Sequence, residues 1–290
     1  MNTDRRSVPS PLDPIPFNTP PIFRETLANG LKIVLVPDRR FPLVSLRLAF
    51  MTGDANDPKD SIGITSALAS LVTEGTTEHS SRELAEKIER LGASLNASSN
   101  DDFIIVAASS LSMYFEEILQ LMSEVVFVPT FPDNEVDLYK RNTIENLKFN
   151  RSQPGFLASE QVGRFIYGQH PYAVIAPRPS DIERIDREAL EELRRNRFVP
   201  NNAVLFAVGD LQSDDFLMIV ERLFGDWESG DRHIHEFPNV PDRKERSLVI
   251  VDRPGSAQSN IVLANSAIKR DDPDFFPLLV MNQVLGAETS

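Results

Sequence analysis

Residues 63–76 read GITSALASLVTEGT and contain the most informative helical pattern of the sequence. Apolar residues recur in this stretch at the three- and four-residue spacing of one helix face: Ile64, Ala67, Leu68, Leu71 and Val72. Glycines stand near both ends of the segment, at Gly63 and Gly75. The pattern predicts a helix that turns one apolar face towards a core.

Apolar runs on either side of this helix predict a sheet. Residues 31–36 and 43–50 are rich in Leu, Val and Ile and predict two strands joined by a polar turn at 38–40. A hairpin is predicted over 93–98 and 103–109, and a buried strand over 203–209. The capping box of Ser80 and Glu83 predicts a second helix that ends at Gly92.

Further helices are predicted over 114–127, 133–150, 156–167 and 187–198, and from a Ser213 cap to residue 224. Strands and helices are partly segregated along the chain, which favours the α+β class. The sequence therefore predicts a mixed or antiparallel sheet flanked by helices.

The order of segments predicts two tandem similar domains. A proline-rich arm over 1–20 precedes a first α+β domain over 21–227, and a polar linker over 228–247 follows. A strand, an Asp-Pro helix start and an apolar helix occur at 43–72 and recur at 260–285. We expect residues 248–290, with a strand over 248–252, to be the start of a second domain that is truncated in this sequence.

Composition excludes several function classes. The 290 residues contain no cysteine and four histidines, which rules out disulfides, thiol nucleophiles and cysteine-based metal sites. The net charge of −13 argues against nucleic-acid and anionic-membrane surfaces. No apolar stretch is long enough for a membrane span, and no signal peptide is recognisable, so we expect a cytoplasmic protein.

Several motifs, in order along the chain, resemble one family. Residues 63–76 are similar to the zinc helix of the pitrilysin, insulysin and mitochondrial processing peptidase family, the inverted zincins. The stretch NGLKI at 29–33, HPY at 170–172 and FVPNN at 198–202, followed by an apolar strand, also match that family. The resemblance covers residues 23–290 and implies the fold of these metallopeptidases.

The resemblance also implies where the family's zinc site should be. In the family two histidines four residues apart bind zinc, and a glutamate between them activates the bound water. The matching positions here are Ser66 and Ser70 for the ligands and Ala69 for the base. The third ligand falls at Asn146, with Glu145 beside it. Because these groups are poor ligands and cannot act as the base, we predict no catalytic residue, no zinc and no other cofactor.

Other chemistry-bearing residues are interpreted as structural. His233 and His235 flank Ile234 and could share one strand face, but no third ligand is specified, so a solvated linker is favoured. His79 is predicted to lie on the surface, and His170 to shape a turn. Ser66 and Ser70 lack the elbow motif and the nearby histidine of a serine nucleophile.

The resemblance implies a non-catalytic member of the family. Such a chain would pair with a zinc-bearing homologous subunit, complete a closed chamber and help to hold a peptide substrate in extended form. The alternative is a structural or peptide-binding scaffold without a proteolytic role. An independent hydrolase with a relocated site is disfavoured by the scarcity of histidine.

Overall fold

The computed structural model of the protein describes residues 18–231, 236–242 and 245–286. Its single sheet has six strands: β1 (Phe23–Thr26), β2 (Lys32–Pro37), β3 (Leu43–Phe50), β4 (Ser94–Ser99), β5 (Ile104–Leu111) and β6 (Ala203–Gly209). The helices of the described residues are α1 (Ile64–Leu71), α2 (Ser81–Arg90), α3 (Phe115–Phe127), α4 (Asp133–Ser152), α5 (Pro154–Tyr167), α6 (Pro179–Glu183), α7 (Arg187–Arg197), α8 (Ser213–Phe224) and α9 (Phe275–Val284). None of them is long and apolar enough to span a membrane.

The sheet is mixed, and its strand order is β1-β2-β6-β3-β5-β4. The parallel pair is β2 with β6, and the other pairs are antiparallel. The predicted α+β class, a sheet flanked by helices, is confirmed. The two strands that the sequence joined through 38–40 are consecutive in the chain but are not paired. β6 lies between them, because it pairs with β2 along one edge and with β3 along the other.

Alternation along the strands places the core on one face of the sheet. In β3 the side chains of Val44, Leu46 and Leu48 are buried, whereas Ser45 and Arg47 are exposed. The apolar face of α1 joins the same core, where Ala67, Leu68 and Val72 are fully buried. The helix predicted from residues 63–76 is therefore packed as its periodicity indicates.

Several boundaries and elements differ from the sequence-based predictions. β1 and the short helix α6 are additional elements. Ser213 is the first residue of α8, and Gln212 occupies the cap position, so Ser213 is not the cap. The capping box of Ser80 and Glu83 is present, and Gly92 has the left-handed φ of 58° that ends α2.

The segment after the predicted linker is largely irregular. Residues 248–252 and 260–266 form no strand, because a strand needs a hydrogen-bonded neighbour and the described residues offer none. Their apolar side chains are exposed, with Leu248 at 85% and Leu263 at 93%. α9 is formed as the apolar pattern indicates. The division into two domains stays a prediction, and most of the arm, residues 1–17, lies outside the described residues.

The core assignment makes a prediction at β3. Leu46→Ala should lower the free energy of unfolding by about 2–5 kcal/mol, because it removes methyl groups from a fully buried site. Ser45→Ala, one residue away on the exposed face, is the matched control and should change it by less than about 0.5 kcal/mol. Urea unfolding of both variants measures the difference. Equal losses would contradict the assignment of the buried face.

Candidate functional site

The amino end of α1 is fixed by one half-buried carboxylate. Asp57 Oδ2 accepts the N–H of Gly63 at 2.7 Å, and its Oδ1 accepts the N–H and the hydroxyl of Thr65 at 3.2 and 2.5 Å. Gly63 has a φ of 92°, which side chains disfavour, and a Cβ there would crowd Pro177 at 3.1 Å. Asp57 therefore satisfies backbone donors that the first helical turn leaves open.

A second carboxylate fixes Ser66, the first of the predicted ligand positions. The Ser66 hydroxyl donates to Asp54 Oδ2 at 2.9 Å and lies 3.1 Å from the Ser99 hydroxyl. Ser99 in turn donates to Asp54 Oδ1 at 2.8 Å. Because Ser99 is the last residue of β4, this triangle connects α1 to the edge of the sheet.

The loop that contains both carboxylates is held by Arg197 at the end of α7. Its guanidinium donates to the Thr52 hydroxyl at 2.5 Å and to the backbone oxygens of Gly53 and Asn56 at 3.4 and 2.5 Å. Arginine suits this position because its planar fork satisfies several acceptors at once. Loop 52–57 is thus attached to α1 on one side and to α7 on the other.

Of the other predicted site residues, Ala69 and Ser70 follow Ser66 on α1, whereas Asn146 and Glu145 lie on α4. Ala69 is buried in the core, and Ser70 is exposed. Asn146 and Glu145 are exposed on α4, where Glu145 pairs with Lys148 at 2.7 Å. The side chains that α4 presents towards α1 are Tyr139, Thr143 and Leu147. The structure therefore does not bring Asn146 or Glu145 to the position of a third ligand.

These donors do not fit a zinc ion. The Ser66 hydroxyl already donates to a carboxylate, Ala69 offers only a methyl group, and α4 contributes no imidazole or carboxylate beside them. Across the described ranges 18–231, 236–242 and 245–286, no group of three or more His, Asp or Glu side chains could hold a metal ion.

A cavity of about 920 Å³ opens beside Ser66. Its floor is loop 54–59 with Ser66, and one wall is the α4 face of Tyr139, Thr143 and Leu147. The opposite side consists of loop 168–177 and residues 236–238, and Asp101 lies at the edge. Most of these side chains are apolar, so the cavity suits a peptide segment better than a free ion.

Three acidic side chains that line the cavity have a raised pKa. Burial raises the pKa of Asp57 to about 6, against the opposing hydrogen bonds from Thr65 and Gly63. Burial also raises the pKa of Asp54 and of Asp101, and it raises the pKa of Tyr139 to about 12. Asp54 and Asp57 are half-buried and Asp101 is exposed, and the carboxyl of each holds a proton more tightly than a fully solvated carboxyl does.

The histidines are placed as follows. The side chain of His79 is only 18% exposed, and its Nδ1 lies 2.7 Å from Glu124 Oε1. The prediction of a surface residue is therefore wrong. His170 shapes a turn as expected, since its Nδ1 accepts the N–H of Tyr172 at 3.2 Å, and it also lines the cavity. His233 and His235 lie outside the described residues.

Sequence reasoning missed the residues that organise the site. Asp57 was noted only as part of an acidic helix start, and Asp54 belongs to no motif. Arg197 belongs to a basic run, RRNR at 194–197, that is ordinary for the last turn of a helix. Asp101 and Asp102 lie in the turn between β4 and β5: Asp101 lines the cavity, and the carboxylate of Asp102 accepts the hydroxyl of Tyr172.

Comparison with known proteins identifies the family. The family model described as Insulinase (Peptidase family M16) matches residues 32–175, and the model described as Peptidase M16 inactive domain matches residues 184–290. A crystal structure of a peptidase M16 inactive domain from Pseudomonas fluorescens superposes with a TM-score of 0.71 at 26% identity, over 76% of this chain and 54% of that one. The chain belongs to the M16 peptidase family.

The curated relatives include proteins named as proteases and one named as a non-peptidase. An uncharacterized zinc protease YmxG of Bacillus subtilis is 24% identical over 93% of this chain and 65% of its own length. A non-peptidase homolog YmxG of Helicobacter pylori is 22% identical over 77% and 52%. The mitochondrial-processing peptidase subunit alpha of Pongo abelii is 23% identical over 90% and 52%. The chain thus spans between about half and two thirds of these relatives.

The raised pKa of Asp57 predicts a pH dependence of stability. Because the folded value of about 6 lies above the ordinary value of about 3.9, the folded state holds this proton more tightly, and that contribution is lost as the pH rises through 6. The free energy of unfolding of the natural chain, minus that of Asp57→Asn, should fall by roughly 1–3 kcal/mol between pH 4 and 7.

Urea unfolding over this pH range measures the difference. Asp60→Asn, an exposed carboxylate of the same loop, is the control, for which we expect no comparable fall. A pH-independent difference for Asp57→Asn would contradict the effect of burial.

Proposed function

We propose that this M16 family chain is the non-catalytic subunit of a heterodimeric peptidase. It pairs with a zinc-bearing homologous subunit, completes the chamber and helps to hold a peptide in extended form. The observation that carries the proposal lies at the predicted ligand position, where the hydroxyls of Ser66 and Ser99 both donate to the carboxylate of Asp54. A side chain that fixes the helix to the sheet in this way is not a donor held ready for a metal.

The relatives support the division of labour. Residues 184–290 match the model of the inactive M16 domain, and one relative is named a non-peptidase homolog. Another relative is named as one subunit of a peptidase. These names favour a chain that acts beside a second polypeptide rather than alone.

The peptide is proposed to lie along β4, the edge strand next to the cavity. β4 pairs only with β5 among the described strands, so its second edge offers backbone donors and acceptors. An extended peptide can add to such an edge through main-chain hydrogen bonds, with alternate side chains in pockets. Ser99 joins this strand to Ser66 and hence to the cavity.

A scaffold without a proteolytic role is the second candidate. The described residues include exposed apolar side chains on α9, such as Phe276, Val280 and Val284, which favour burial against another polypeptide. The subunit role and the scaffold role both require that α9 contacts another polypeptide. Only the subunit role requires the chain to change peptide turnover. The cytoplasmic location remains a prediction, which cell fractionation tests.

The proposed heterodimer predicts how this chain changes the peptide turnover of its partner. The purified chain alone should contain no stoichiometric zinc and should cleave no peptide, whereas adding it to its zinc-bearing homologue should raise peptide turnover at least tenfold. A partner in which the glutamate base is replaced by glutamine is the control and should stay inactive in the mixture. Unchanged turnover on mixing would refute the subunit role and leave the scaffold role.

The position of the peptide makes a separate prediction. A fluorescein-labelled synthetic peptide of alternating threonine and phenylalanine, with a lysine at each end, should slow amide hydrogen exchange in β4. The opposite edge strand, β1, is the internal control and should exchange at its original rate. Protection of β1 alone, or of neither edge, would contradict the proposed binding edge.

A further inference from the structure

Residues 236–241, which read EFPNVP and are called the strap below, run along the rim of the cavity. Phe237 and Pro241 are half-buried, whereas Glu236, Pro238 and the two residues between the prolines are exposed. Phe237 and its two neighbours are part of the cavity wall. The strap is therefore attached at two points, and its first half limits the opening of the cavity.

The first attachment is aromatic. The ring of Phe237 contacts that of His170 edge to face, with centroids 5.4 Å apart and planes at 67°. His170 also contacts Tyr172, at 4.5 Å and 70°, and Tyr167, at 6.2 Å. Phe237 thus completes a cluster of rings whose other members belong to α5 and the loop that follows it.

The second attachment depends on a glycine. A Cβ at Gly168 would lie 2.8 Å from Cγ of Pro241, and the φ of 60° at Gly168 is itself a conformation that side chains rarely adopt. The missing side chain leaves the space that Pro241 occupies. Because Pro238 and Pro241 have restricted φ angles, fixing the strap costs less conformational entropy than fixing a flexible linker.

We propose that the strap is an intramolecular closure of the cavity, latched by Phe237 on the ring of His170. A peptide that lies along β4 reaches the cavity beside Ser99 and Ser66, and it competes with Phe237 for the aromatic wall. This inference rests on the proposed peptide binding and adds its regulation. Release of the latch widens the cavity, and closure of the latch disfavours a bound peptide.

The test compares Phe237→Ala with the natural full chain, using the labelled threonine–phenylalanine peptide and fluorescence anisotropy. Loss of one aromatic contact should tighten peptide binding by about two- to tenfold. Val240→Ala, an exposed apolar residue of the same strap, is the matched control and should leave the affinity unchanged. Weaker or unchanged binding by Phe237→Ala would overturn the strap as a competitor.

A second measurement separates the strap from the proposed function. Nile red, a neutral apolar dye, should bind Phe237→Ala more tightly than the natural chain, and Val240→Ala should match the natural chain. If no variant binds the peptide but Nile red shows this difference, the proposed peptide binding fails and the closure stands. Equal Nile red binding by all three proteins overturns the closure, whatever the peptide does. Circular dichroism confirms that the variants are folded.

Discussion

The site depends on two carboxylates and one guanidinium that are half-buried where loop 52–57 meets α1 and α7. Asp54 and Asp57 each accept hydrogen bonds, and the charge of Arg197 acts on both carboxylates. A buried charge without partners costs several kcal/mol, so the groups keep one another in place. Arg197 holds the backbone of loop 52–57, and Asp57 holds the first turn of α1. These contacts determine the shape of the part of the cavity that loop 54–59 and Ser66 line.

The same arrangement explains how α1 remains ordered without a metal. A zinc ion contributes free energy by joining ligands from separate elements. Here Ser66 joins α1 to β4 through Asp54 and Ser99, and Ala69 is packed in the core. Hydrogen bonds at these positions connect α1 to loop 52–57 and to β4, and packing fixes Ala69, so the chain's own side chains attach this part of the helix to its neighbours. The contacts of Ser66 and Ala69 thus hold α1 in the family fold through the chain's own side chains.

Local features of the fold could be predicted from the sequence, and non-local ones could not. The periodicity of residues 63–76 and the capping box at Ser80 depend on near neighbours, so they were found. The insertion of β6 between β2 and β3 depends on partners far apart in the chain, which no local pattern encodes. A helix turns by about 100° per residue, so Asn146, the position that the family resemblance implied, lies off the α4 face of Thr143 and Leu147 that lines the cavity.

The difference between the two sheet edges connects these observations. Proteins commonly protect edge strands with charged residues, and β1 follows this rule with Arg24 and Glu25. β4 reads SLNASS and has no charge, proline or large aromatic residue, so its edge is open to a further strand. An unprotected edge of this kind can form main-chain hydrogen bonds with any extended chain. β4 lies next to a cavity that the chain's own Phe237 narrows, which explains why the open edge is tolerated. A peptide that cannot displace the Phe237 latch gains only backbone contacts with β4. A peptide that displaces the latch gains contacts in the cavity as well.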